Sequence, residues 1–289
     1  MFRSVVRYPV SVLSRVVQDP LDALAALQDE VISRSEHEST IQYQADANWE
    51  TDLQQLLGMS ADFAEEFWPH WERAVHFLRR QGLKVGPFSF YGWNDGDAGL
   101  VRAIWCLVRH LRPAIVVETG VAHGVTSRLI LEAMTLNGTG NLWSIDLPPY
   151  NPHTRKEVGI AVDDERLHDR WAYITGTSRR RLPSLLGQLR RVDLFVHDSM
   201  HSGRNVSFEL DLAWKHLRRG GVMVVDDIDV NPAFQAFTGA HPDHQSFICT
   251  AEPLSPDRRR FNQKGLFGII CATRSDTFRG SLTADQSHI

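Results

Sequence analysis

The spacing of apolar residues changes character near residue 96. Before it the period is helical. Leu21, Leu24, Leu27 and Val31 recur at helix spacing between Pro20 and Ser33. Ser60 is placed to cap a second helix over Ala61–Gln81, and Gly82 to stop it. Trp49, Trp68, Trp71 and Trp93 all fall in this first third, which is therefore expected to pack and not to be a disordered tail. An aromatic stretch punctuated by turn formers, Gly86 to Gly96, closes it.

Beyond residue 96 the pattern alternates. Ala98–Leu111 reads as a helix halted before Pro113. Short, almost continuously apolar runs follow at Ala114–Glu118, Leu142–Asp146, Ala172–Thr175, Val192–His197 and Val222–Asp226. Runs of this kind suit strands buried on both faces. Helical stretches separate them, clearest at Thr126–Leu136 and at Val206–Arg219, the latter ending on Gly220-Gly221. Such alternation predicts a doubly wound α/β domain with a parallel sheet. Two more strand candidates, Gln245–Thr250 and Leu266–Ala272, would give the sheet a mixed edge. The predicted division is a helical extension over 1–96 and an α/β domain over 97–289.

Composition narrows the function classes. The 289 residues are 43% apolar and carry 31 basic against 35 acidic side chains, a net charge of −4. No basic excess drives binding to nucleic acid or an anionic membrane. Cys106, Cys249 and Cys271 show neither disulfide nor metal spacing and sit among apolar neighbours, as core fillers in a reducing compartment would. No run approaches the roughly 18 apolar residues of a membrane span. Met1–Val17 carries Arg3, Arg7 and Arg15 but is broken by Pro9, and it reads as a basic helix lying on this protein or on a partner subunit. A cytoplasmic location is expected.

The first strand runs into Glu118-Thr119-Gly120-Val121-Ala122-His123-Gly124. Small residues at 120, 122 and 124 let the backbone turn tightly toward a ligand, with a helix N-terminus behind. Asp146 ends the second strand, where a carboxylate can accept from ribose hydroxyls. The dinucleotide fingerprint places glycine at its third and sixth positions; Ala122 and Val125 stand there instead, which speaks against a nicotinamide-dependent oxidoreductase.

With Asp146 at this spacing, the segment Glu118-x-Gly120-x-Ala122-x-Gly124 resembles motif I of class I S-adenosylmethionine-dependent methyltransferases. The resemblance covers about residues 97–273. It implies a Rossmann-like seven-stranded mixed sheet whose last strand is antiparallel, and a cofactor site made by Glu118, Gly120, Ala122, Gly124, Asp146 and Ser178. Thr177 departs from the family, whose members often carry Gly-Asp-Ser where Gly176-Thr177-Ser178 stands here.

The fourth and fifth of these strands end in Asp198 and in Asp226-Asp227. Neighbouring strand ends bring these acids into one crevice, where like charges demand raised pKa values or a cation. Oxygen ligation favours Mg²⁺, Mn²⁺ or Ca²⁺. His201, three residues past Asp198, is the candidate proton acceptor, with orientation of the metal or the substrate as the alternative role. His197 should point the other way and be structural; His123 should face solvent or substrate. The pattern Asp198-x-x-His201 with Asp226-Asp227 resembles metal-dependent O-methyltransferases, similar to catechol O-methyltransferase and closer to the macrolide-sugar and cephalosporin-tailoring group.

The expectation is therefore a Mg²⁺-assisted O-methyltransferase acting on a hydroxyl of a small molecule or sugar, with Asp198, Asp226 and Asp227 on the metal. Phe88–Trp93 reads equally as a lid or acceptor wall and as packing, and the N-terminal helices as an oligomer contact. Two alternatives remain on the same fold: a metal-independent class I methyltransferase, and a non-catalytic nucleoside-binding protein. His241-Pro242-Asp243-His244 reads as a turn, and Arg179–Arg181 and Arg258–Arg260 as solvated faces.

Overall fold

A computed structural model of the chain describes residues 20–25, 28, 43–90, 93–149, 151–252 and 265–272. Residues 1–17, Arg258–Arg260 and most of the stretch read as a helix over 20–33 lie outside these. Helices α1 (Trp49–Leu57) and α2 (Asp62–Arg80) come first, then a hairpin of β1 (Gly86–Phe90) and β2 (Trp93–Asp95). The sheet region follows as α3 (Ala98–Leu111), β3 (Ile115–Thr119), α4 (Val125–Asn137), β4 (Asn141–Asp146), α5 (Pro152–Glu157), α6 (Glu165–His168) and β5 (Trp171–Thr175). It continues as α7 (Ser178–Leu189), β6 (Val192–His197), α8 (Gly203–His216), β7 (Leu217–Val225), α9 (Ala233–Ala240), β8 (Gln245–Thr250) and β9 (Leu266–Cys271).

The seven strands β3–β9 form one sheet in the order β5-β4-β3-β6-β7-β9-β8. Pairs among β3 to β7 are parallel, while β9 runs antiparallel to both β7 and β8. This is the Rossmann-like mixed sheet that the alternation and the resemblance imply. Successive residues of a strand face opposite sides. Val116, Leu194, Val196, Val222 and Val224 thus enter one core, shared with α2, α3 and α4. Val117, Phe195, Met223 and Val225 enter the other, shared with α7, α8 and α9.

Residues 43–90 build into the first core through Trp49, Leu53, Phe67, Trp71 and Leu78. An ion cluster on the buried Arg102 ties them down further: this α3 side chain donates to Glu50 of α1 at 3.0 and 3.2 Å and to the more exposed Glu252 after β8 at 2.7 Å.

One boundary differs from the sequence expectation. The helix predicted to reach Arg219 stops at His216, and Leu217 already pairs with Val192. Tertiary partners decide this. Gly220 N–H donates to the Ala272 carbonyl at 2.7 Å and Ala272 N–H to that of Gly221 at 2.9 Å, so the residue after β9 takes backbone groups that a longer helix would use.

Candidate functional site

The parallel strands end along one edge, and the hydrogen-bond ladder runs one residue beyond them. Gly176 N–H donates to Asp146 O, Gly120 N–H to Ile145 O, Asp198 N–H to Thr119 O and Asp226 N–H to His197 O, each at 2.9 Å. Gly120, Asp146, Asp198 and Asp226 are thereby set side by side at the carboxyl edge, the place where open α/β sheets bind ligands. Ser178 opens α7 at the same edge.

The glycines of the first loop answer to the chain itself. Gly120 has φ +86°, and a Cβ there would lie 1.8 Å from the carbonyl oxygen of Asp198. Gly124 has φ +84°, and a Cβ there would meet Gly159 Cα at 2.9 Å. The stretch around Gly159 lies on the loop, with Gly159 and Ala161 N–H donating to Ala122 and His123 carbonyls at 2.9 and 2.8 Å. Gly120 and Ala122 remain partly exposed toward the crevice, as does Asp146, while Gly124 is buried.

His123 is corrected: it does not face solvent. It is fully buried, 3.7 Å from Glu157 and edge-on to Phe90 at 4.9 Å, so the β1–β2 hairpin rests on this loop. Glu118 is also buried, accepting from the Ser127 and Ser144 hydroxyls at 2.6 and 2.7 Å. Burial raises its pKa to about 7 despite those two donors. Its carboxylate joins β3, β4 and α4 beneath the loop.

Asp198, His201 and Asp226 come together. Each offers one ligand atom, and these atoms lie within 4.8 Å of one another, the one such group among the described residues. His201 Nε2 is 3.8 Å from Asp198 and 3.9 Å from Asp227. Asp227 takes a left-handed backbone, φ +50°, which aspartate tolerates better than most residues. Burial, then the charges of Asp227, Asp198 and Asp97, push the Asp226 carboxyl well above its usual range. Burial likewise lowers the His201 pKa and favours neutral imidazole. Two carboxylates and an imidazole, half-buried and close together, are a donor set that could hold a Mg²⁺- or Mn²⁺-type cation. His201, read from the sequence as a proton acceptor with metal or substrate orientation as its alternative, stands close enough to Asp198 and Asp226 to be a ligand.

Sequence reasoning missed two carboxylates. Asp97 caps α3, accepting from Gly99 and Leu100 N–H, and also takes Glu252 N–H at 2.8 Å. Burial raises its pKa to about 6, with a contribution from Asp227. Its signal was an acid immediately before a predicted helix. Glu209 lies fully buried on α8. Its signal was a charge on the apolar face that holds Val206, Leu210 and Ala213. His197 is not turned away either: its Nδ1 meets Glu209 at 2.7 Å and its ring is edge-on to His201 at 5.5 Å. Ser178 faces this network, with its hydroxyl 3.4 Å from Asn205 Oδ1.

Residues 117–228, from within β3 past the paired acids, match a family described as "Methyltransferase domain". No curated protein sequence matches the chain. Among solved structures, a candidate O-methyltransferase from Klebsiella pneumoniae aligns at TM-score 0.52 and 17% identity, over 78% of this chain and 96% of that one. An O-methyltransferase from Bacillus cereus, in complex with S-adenosylhomocysteine, aligns at 0.51 and 13%, over 76% and 95%. The O-methyltransferase TomG from Streptomyces achromogenes, involved in tomaymycin synthesis and bound to S-adenosylmethionine, aligns at 0.50 and 15%, over 78% and 95%. At these identities the likeness establishes the fold.

Proposed function

Because residues 117–228 match a methyltransferase domain, we propose that the chain is a class I S-adenosylmethionine-dependent methyltransferase and that it methylates a hydroxyl of a small-molecule or sugar acceptor with the help of a divalent cation. One observation carries the cation: Asp198, His201 and Asp226 present their ligand atoms within 4.8 Å at the strand edge shared with the motif loop. Asp227, beside His201, completes the acidic wall.

S-adenosylmethionine supplies the electrophilic methyl, and the cation would draw the acceptor hydroxyl toward its ionised form. The protein's part is placement. Asp146, partly exposed at the strand edge, would accept from ribose hydroxyls, and the partly exposed backbone of Gly120 and Ala122 would let the cofactor approach. Burial keeps the His201 imidazole neutral, and with the cation held by the carboxylates of Asp198, Asp226 and Asp227 its Nε2 would be left to take the hydroxyl proton. The hairpin that packs on His123 of the loop is read as the wall that would exclude water from the crevice. Alignment and charge neutralisation, with no covalent intermediate, account for the rate.

Calorimetry tests this in two arms. S-adenosylhomocysteine should bind the wild type, and Mn²⁺ should bind wild type but not Asp198→Asn or Asp226→Asn. Methylation should stop with EDTA and return with Mg²⁺. Cofactor binding with activity indifferent to EDTA leaves the metal-independent alternative; no cofactor binding leaves a non-catalytic fold.

A further inference from the structure

We infer that Glu209 is a positioning residue for the cation site, a buried carboxylate that clamps the Asp198–His201 loop to the strand end preceding the cofactor loop. This rests on the cation reading above. The geometry is specific. Oε2 accepts from the Thr119 hydroxyl at 2.6 Å and meets His197 Nδ1 at 2.7 Å. Oε1 accepts from the Ser199 hydroxyl at 2.8 Å and from Asn205 Nδ2 at 2.9 Å. His197 and Ser199 are the two neighbours of Asp198, so one carboxylate grips both sides of that acid. Thr119 directly precedes Gly120, whose missing Cβ makes room for the Asp198 carbonyl. Asn205 carries the clamp onward by donating to the Met200 carbonyl at 3.0 Å, next to His201.

Nothing in simple core packing calls for such a group. Glu209 is fully buried on the apolar face of α8, where an unpaired charge would be costly. Burial pushes its pKa up, but His197 and the hydroxyl donors outweigh that and hold it at about 2, so the full charge is kept inside. His197 is equally buried, and its Nε2 has no hydrogen-bond partner among the described residues. Its ring stands edge-on to His201. The imidazole therefore braces His201 on one side while Glu209 fixes the loop on the other. Groups one shell behind metal ligands typically change cation affinity by about 10- to 100-fold when removed.

The test uses the full-length chain, with Mn²⁺ and S-adenosylhomocysteine titrated separately into wild type, Glu209→Gln and Ser199→Ala. Glu209→Gln keeps the shape but loses the charge and part of its accepting capacity. Ser199→Ala removes one tie and leaves the carboxylate in place. Mn²⁺ affinity should fall by about 10- to 100-fold in the first and a few-fold in the second. S-adenosylhomocysteine affinity should change no more than about threefold, a split that loosened folding alone does not produce. Mn²⁺ affinity within twofold of wild type in both variants overturns the inference, as do equal losses for the two ligands. If Glu209→Gln does not fold, Ser199→Ala decides. A wild type that binds S-adenosylhomocysteine but no Mn²⁺ overturns the cation reading itself, and the clamp's role with it.

Discussion

Replacing Gly120 by alanine should damage the cation site more than the fold. The added Cβ would start 1.8 Å from the Asp198 carbonyl oxygen, and real Cβ contacts essentially never fall below 3.0 Å, so the two backbones must separate. The left-handed φ of +86° adds a conformational cost of about 1 kcal/mol. Relieving the overlap costs roughly another 1–3 kcal/mol. At roughly 2–4 °C per kcal/mol for a chain of this size, the melting temperature should drop on the order of 10 °C. The displaced group is Asp198 itself, and misplacing a catalytic group by about 1 Å can cost ~100-fold in rate. Gly138→Ala is the control: its φ is +71°, but nothing lies within 4 Å of an added Cβ, so it carries the conformational cost alone. Differential scanning fluorimetry, Mn²⁺ calorimetry and kcat/KM should together show Gly138→Ala slightly destabilised with normal turnover per folded molecule. Gly120→Ala should show both defects. Equal effects of the two substitutions, or normal Mn²⁺ affinity in Gly120→Ala, would refute the reasoning.

Glu118→Gln should change how stability depends on pH. The folded pKa of about 7 lies above the unfolded value of 4.5, so the folded state holds the proton more tightly. Its contribution is fully present below pH 4.5 and is lost as pH rises through 7, about 3 kcal/mol in all. Melting curves between pH 4.5 and 8 should converge on the glutamine variant at low pH and favour it at high pH; parallel profiles would exclude this assignment. Asp22, in the helical stretch 20–25, is buried against the start of α7. It accepts from Thr177 N–H and hydroxyl at 3.2 and 3.0 Å and pairs with Arg180 and Arg181 at 3.1 and 3.2 Å. Asp22→Ala should weaken S-adenosylhomocysteine binding by roughly three- to tenfold through loss of ~1 kcal/mol of loop ordering. Its kcat at saturation should stay near wild type, and unchanged affinity in calorimetry would count against a link between this helix and the cofactor end.

Much of the architecture is written locally. Five-residue apolar runs separated by amphipathic helices predict a doubly wound sheet, because burial on both faces requires such runs. The small residues at 120, 122 and 124, and acids at the ends of β4, β6 and β7, mark the edge where chemistry belongs. What local pattern could not convey is which distant groups share a space. Gly120 reads as room for a ligand, yet its Cβ position is taken by a carbonyl 78 residues further on. His123 reads as exposed until the hairpin and Glu157 cover it. Glu209 reads as one more charge on a helix until β3, β6 and the Asp198 loop surround it with donors. Periodicity depends on each residue's near neighbours and survives in the sequence. Burial, clash and pKa depend on atoms brought together across the sheet, and those only the tertiary structure places.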